Sequence, residues 1–190
     1  MSTLRSSFES YVSLTDEVWA EMEPLWKPAS FPKNAIITAE GAVESHFYWV
    51  IEGVQSLYYP TPGGNDMVLG FTYTGNFSGV YDSFVTRRPA LCFLQAVTAS
   101  KVLAISFADM QSLFDKYHSV ERFGRLFIES ILFGRGIREV ELTTLSAEER
   151  FARFMKRSPQ PLQQVPQKLL ASYLNMTPET FSRLRKRNLY

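Results

Sequence analysis

Cysteine and histidine are almost missing from this 190-residue chain: Cys92 is the one cysteine, and His46 and His118 are the two histidines. A single cysteine excludes an intramolecular disulfide and any self-contained cysteine-ligated cluster. Two histidines in unlike segments argue against a His-rich metal centre, and each reads better as a polar surface or interface residue. No Gly-rich phosphate loop, nucleophile elbow or zinc-ligand spacing occurs, which counts against an enzyme. No apolar run approaches the ~18 residues of a membrane-spanning helix. The greasiest stretch, Leu126 to Phe133, is interrupted by Glu129. Met1 to Ser13 is polar and mixed in charge, so no signal peptide is expected and a reducing cytoplasm is the expected location. No cofactor is expected.

The chain does contain enough apolar material, 45% of residues, for a real core, and its length suits one large domain plus a small one. Val18, Met22 and Leu25 have helical spacing within residues 14–26, with Thr15 as cap. Between about 29 and 106 the pattern is short and β-rich. Strands are expected at Ala35–Thr38, His46–Ile51, Val54–Tyr59, Met67–Tyr73, Ala96–Thr98 and Lys101–Ser106. Turn signals separate them at Glu40-Gly41, Glu52-Gly53, Gly63-Gly64-Asn65-Asp66 and Gly75-Asn76. Many short strands at regular spacing suggest a sandwich, jelly roll or barrel.

Helical patterns return from Phe107 to Tyr117 and from about Val120 to Thr144. Along the second, Phe123, Phe127, Ser130, Gly134, Ile137, Glu141 and Thr144 recur at three- and four-residue steps. Such a stripe suits close packing against a partner helix or against the chain's own β domain. A helix of about 25 residues spans about 37 Å, which favours the partner. A further helix is expected over 147–157, where Ser146 and Glu149 have capping-box spacing. Ser158 to Val165 reads as a loop. The fold class is therefore α+β: a β-rich domain over 1–117, a dimerisation helix over 118–145 and a small helical domain over 146–190.

The last segment carries the clearest functional signal. Leu169, Leu170, Tyr173 and Leu174 mark one amphipathic helix, with small Ala171 inside it. Asn175 suits a left-handed turn residue. Thr177 then caps a second helix that starts with Pro178 and carries Glu179 in its first turn. Phe181 and Leu184 face the first helix, whereas Glu179, Ser182, Arg183 and Lys186 face out. Two short helices ending in a basic one form a helix-turn-helix, a device for the major groove of DNA. The near-zero net charge of +1 conceals a basic end. Residues 148–190 hold nine Lys or Arg against three Glu, and the remainder holds eleven against sixteen Asp or Glu. Such an end suits phosphate contacts.

Taken together, these segments resemble the CRP/FNR family of bacterial transcription regulators over almost the whole chain. Phe31 to Gly41 resembles the entry to that family's cyclic-nucleotide-binding β-roll, and Phe47 to Gly53 its aromatic strand and glycine turn. Gly75-Asn76-Phe77-Ser78-Gly79 resembles its Gly-Asp-Phe-x-Gly approach to the ligand cassette. Ser146 to Phe154 resembles the opening of its DNA-binding domain, and Met176 to Leu184 its recognition helix. The resemblance implies a double-stranded β-helix or jelly-roll sensor. It also implies a homodimer, double-stranded DNA as partner and a non-enzymatic regulator, with RNA polymerase a further candidate partner and no membrane involved. Glu179 and Arg183 would read bases, and Thr177, Ser182, Lys186 and Arg187 would touch phosphates, with Pro178 and Thr180 completing the DNA-facing set. The effector pocket would comprise Asn76, Phe77, Ser78, Gly79, Val80, Arg88, Ala90 and Leu91.

The departures from the family pattern are informative. Cyclic-AMP binders carry a glutamate after the second cassette glycine, where this chain has Val80. They carry a phosphate-pairing arginine where the ungapped match puts Ala90 and Leu91. Arg88-Pro89-Ala90 fills that role only if the loop is shortened. Nothing like the family's β-wing follows Arg187, as in the family's shorter branch or in a truncated chain. The residues do not name an effector, an operator, or activation against repression. Two other readings stay open: a ligand-binding or protein-interaction module with a non-specific basic tail, and a cupin-type barrel enzyme. Each missing charge-assisted bond is worth ~1.5–3 kcal/mol, so cyclic AMP should bind weakly or not at all. Tight binding in a calorimetric titration would refute this.

Overall fold

Alternation of apolar residues along short segments builds two four-stranded sheets, ordered β1-β8-β3-β6 and β2-β7-β4-β5. The strands are β1 (Lys27–Phe31), β2 (Ile36–Thr38), β3 (His46–Glu52), β4 (Val54–Tyr59), β5 (Met67–Tyr73), β6 (Phe77–Ser78), β7 (Phe93–Ala96) and β8 (Ser100–Ser106). The helices are α1 (Leu4–Glu9), α2 (Asp16–Met22), α3 (Tyr81–Thr86), α4 (Phe107–Lys116), α5 (His118–Thr144), α6 (Ala147–Arg157), α7 (Gln167–Tyr173) and α8 (Pro178–Asn188). This computed structural model describes residues 3–61, 63, 66–157 and 164–188. They group into two units, one of residues 1–57 and 71–130, the other of residues 58–70 and 131–190. Among the described residues no helix is long and apolar enough to cross a membrane.

In the first unit, β3 separates two environments by its period of two. Tyr48 and Val50 pair with Ala104 and Val102 of β8 and face a cluster with Val80, Ala90 and Leu94. Phe47 and Trp49 point the other way. Phe47 stacks on Phe77 at 5.2 Å, and the Trp49 indole donates to the Ser7 hydroxyl at 3.0 Å. The turn from β3 to β4 requires Gly53: its φ is +106°, and a Cβ there would lie 2.6 Å from the Ala99 carbonyl oxygen.

Helices α1 and α5 close the aromatic side. Phe8 of α1 lies 4.1 Å from Phe123 and 5.1 Å from Phe77, centroid to centroid. Phe127 packs on Phe77, Tyr81 and Phe47. Burial pushes the Tyr81 phenol up to about 12. Sequence patterning misses α1, because six residues with two apolar positions give no period to read. A capping box between Thr3 and Ser6 fixes its start instead. Patterning likewise misses β1, β6 and α3. It also places a strand at Ala96–Thr98, whereas β7 ends at Ala96 and the N–H groups of Val97 and Thr98 both turn to the Val54 carbonyl.

The stripe expected along α5 divides. Phe123 and Phe127 are buried in the first unit, and Ser130 meets the Tyr11 hydroxyl at 3.4 Å. Glu141, in the second unit, pairs with Arg157 and Arg153 at 3.3 and 3.7 Å. Between them, every residue from Leu132 to Ile137 is exposed. Leu132 is 69%, Phe133 72% and Val140 59% exposed. Spacing shows which residues share a face, but not what covers it.

The second unit has its own small core: Phe151 and Phe154 of α6, Leu170, Ala171 and Leu174 at α7, and Phe181 and Leu184 of α8 are all buried. Phe151 meets Phe181 edge-on at 5.4 Å. The expected capping box starts α6, with the Ser146 N–H donating to the Glu149 carboxylate at 2.8 Å and the Glu149 N–H to the Ser146 hydroxyl at 3.3 Å. Residues 158–163 of the expected loop, residues 64 and 65 of the expected Gly-rich turn, and residues 189–190 lie outside the described residues. Truncating Phe123 to Ala should cost about 3–5 kcal/mol, because a fully buried ring leaves a cavity between α1, β6 and α5. Urea unfolding of the purified variant measures this; a loss below about 1 kcal/mol would remove the ring cluster from its central place.

Candidate nucleic-acid interface and effector site

The C-terminal helix pair forms the turn its residues predict. Asn175 adopts φ +50°, and the Met176 N–H returns to the Ala171 carbonyl at 3.0 Å. Thr177 caps α8 by accepting from the Thr180 N–H at 3.2 Å. The Glu179 carboxyl is held below the usual carboxylate range by its own backbone N–H and then by the Thr177 hydroxyl. It therefore offers acceptor oxygens only at neutral pH. Phe181 and Leu184 are buried, whereas Pro178, Glu179, Arg183, Lys186 and Arg187 are exposed and Ser182 half-buried. Pro178, Glu179, Ser182, Arg183, Lys186 and Arg187 share one open face of the helix. The sequence-predicted DNA-facing residues thus lie together along one side of α8, with Thr177 and Thr180 at its start.

Two arginines that sequence reasoning passes over hold this turn. The last carbonyls of a helix lack partners within it. Arg138 of α5 donates to the Tyr173 carbonyl at 2.7 Å and to the Val68 carbonyl at 3.1 Å. Its guanidinium lies 3.9 Å from the Tyr173 ring centroid. Burial lowers the Arg138 pKa more than the nearby tyrosine raises it. Arg150 of α6 donates to the carbonyls of Leu174 and Asn175 at 2.9 and 3.0 Å, and to that of Leu145 at 2.5 Å. Three successive carbonyls at the end of α7 are therefore capped by side chains from two other helices. Ser172 adds a link to the tip of the β4–β5 hairpin, accepting from the Val68 N–H at 2.9 Å and donating to the Asp66 carbonyl at 2.8 Å.

The expected effector residues separate in space. Asn76 is exposed in the turn before β6, where its carbonyl accepts from the Val50 N–H at 3.0 Å. Phe77 belongs to the aromatic cluster. The buried Ser78 hydroxyl donates to Gln55. Gly79 takes φ +147°, a conformation that side chains rarely adopt. Val80 and Ala90 are buried within the roll. Arg88 is exposed, and Leu91 is 64% exposed. The interior therefore receives Ser78, Val80 and Ala90, but not Arg88 or Leu91.

At the centre of this region is a residue the sequence did not single out, Glu44, only 2% exposed. Its carboxyl oxygens accept from the Thr38 hydroxyl at 2.5 Å, the Val80 N–H at 3.2 Å, the His46 N–H at 3.2 Å and the Tyr48 hydroxyl at 3.4 Å. Burial, and then the Glu44 charge, raise the Tyr48 pKa. Nothing in the local sequence separates Glu44 from a solvated glutamate in a turn.

Residues 28–117 match the family model of the cyclic nucleotide-binding domain. No curated protein matches the chain. Solved structures of similar fold include FixK2 from Bradyrhizobium japonicum, 18% identical over 85% of this chain and 83% of that one, with a TM-score of 0.74. Another is the c-di-GMP-responsive global regulator CLP of Xanthomonas campestris, 18% identical over 92% of each chain, with a TM-score of 0.72. The catabolite activator protein of Thermus thermophilus is 22% identical over 92% of this chain and 84% of that one, with a TM-score of 0.56. Over residues 28–117 the chain is thus similar to the cyclic nucleotide-binding domain, and it shares the fold of these solved structures.

Proposed function

We propose that this protein is a homodimeric DNA-binding transcription regulator whose sensor does not depend on cyclic AMP. The observation that carries the reading is the outward side of α8, where Glu179, Ser182, Arg183, Lys186 and Arg187 lie together on one open face while Phe181 and Leu184 anchor the opposite side. A helix so presented fits the major groove. Arg183 pairs with guanine N7 and O6, and Glu179 accepts from cytosine N4. Thr177, Ser182, Lys186 and Arg187 set register on phosphates.

The middle of α5 supports the dimer. Leu132, Phe133 and Val140 are large, apolar and exposed. Gly134 and Gly136 lie in a helix interior, where each costs about 1 kcal/mol relative to alanine, yet an added Cβ at either would meet nothing within 4 Å. A second α5 packed against this stretch accounts for both features, since glycine lets two backbones approach closely. Two recognition helices about 34 Å apart, one DNA turn, would then face successive major grooves. Domain roles follow: residues 1–117 sense, 118–145 dimerise and 146–190 read DNA. The c-di-GMP response of CLP and the absence of the pocket glutamate at Val80 both favour a signal other than cyclic AMP.

Selection from genomic fragments followed by fluorescence anisotropy tests the DNA claim. A defined two-fold-symmetric site should emerge, with affinity falling steeply as salt rises. Arg183→Ala should lower affinity for that site by about 1–3 kcal/mol and relax one base position, whereas Lys186→Ala should weaken all sequences about evenly. Salt-sensitive binding with no sequence preference would favour a non-specific basic tail instead. For the dimer, Phe133→Asp should shift sedimentation from dimer to monomer at micromolar concentration; an unchanged dimer would place the interface elsewhere.

A further inference from the structure

We infer that Glu44 is a built-in occupant of the effector site: its side chain supplies from within the chain the anion that the roll would otherwise take from a small molecule. The inference rests on the reading of the chain as a regulator with an effector-type roll, and deepens it. A carboxyl with 2% exposure is costly to bury unless donors surround it. Glu44 has donors from several sides of the region: Thr38 on β2, His46 and Tyr48 on β3, and the Val80 N–H beside Gly79. Its backbone is used as well. The Glu44 N–H donates to the Ser83 hydroxyl at 2.9 Å, and that hydroxyl donates to the Arg88 carbonyl at 2.6 Å. The Arg87 guanidinium donates to the Glu44 carbonyl at 2.5 Å and lies 4.3 Å from the Phe107 ring centroid.

One residue thus ties β2, β3, the Gly79–Val80 turn, α3 and the loop after it into a single hydrogen-bonded body. These are the segments in which the expected effector residues lie. Tyr48 and Val80, which donate to the carboxyl, belong to a core cluster that Val50, Ala90, Leu94 and Val102 fill with aliphatic groups. The arginine that an external anion would need is turned outward at Arg88. The arrangement holds α3 and its loop in place without any added ligand, so the regulator is set in one state by its own sequence.

The experiment compares the full chain with Glu44→Ala and Glu44→Gln. Glu44→Ala removes a group the size of acetate. Its melting temperature should fall and recover saturably with acetate or formate, but not with acetamide or chloride, while wild type responds to none of them. Amide exchange should accelerate over residues 80–91 and be slowed again by acetate. Affinity for the selected DNA site should drop by about 5- to 150-fold, the usual range of coupling between sites, and return with acetate. Glu44→Gln keeps the shape but turns one acceptor into a donor. It should melt below wild type and gain nothing from acetate, so it decides the matter if Glu44→Ala does not fold. Melting of Glu44→Gln at the wild-type temperature, a folded Glu44→Ala indifferent to acetate, or DNA affinity unchanged while residues 80–91 loosen would each overturn the inference. Wild type that binds no DNA would overturn the regulator reading instead, and the melting and exchange measurements would still judge Glu44.

Discussion

Buried polar groups must find partners, and much of this structure follows from meeting that constraint in two places. In the roll the group is the Glu44 carboxyl, whose donors come from two strands and a glycine turn. In the second unit the groups are the part-buried carbonyls of Tyr173 and Leu174, capped by Arg138 and Arg150. Each arrangement fixes segments far apart in sequence, because a buried unpaired polar atom would cost about 1–3 kcal/mol.

Apolar packing works beside this constraint. The rings of Phe8, Phe77, Phe123 and Phe127 attach the start of α5 to the roll. Phe151 and Phe181 join α6 to α8. Beyond Phe127, α5 leaves Leu132, Phe133 and Val140 exposed. Within the second unit, Arg138 near the far end of α5 is bonded both to the hairpin and to the end of α7.

The C-terminal helix pair was legible because each step has a local cause. Asn175 tolerates positive φ, Thr177 caps, Pro178 starts a helix, and Phe181 and Leu184 share a face; all four act within a turn or two of chain. The capping box at Ser146 and Glu149 was legible for the same reason. Most strands were legible from their period of two. By contrast, α1 and β1 are short and carry little pattern, and they exist because the roll offers a surface to cover. The effector residues were placed by resemblance, and the fold turned Arg88 and Leu91 outward while drawing Val80 and Ala90 into the core.

The sequence alone therefore determined the α+β class, most of the strands, the basic C-terminal helix and the valine at position 80, all properties of residue type and near-neighbour spacing. Only the tertiary structure decided that Glu44 lies at the centre of the roll, that Arg138 and Arg150 cap α7, and that Phe123 and Phe127 belong to the roll while Leu132 to Ile137 stay uncovered. Those outcomes depend on groups brought together from distant parts of the chain, and a buried glutamate and a solvated one have the same local sequence.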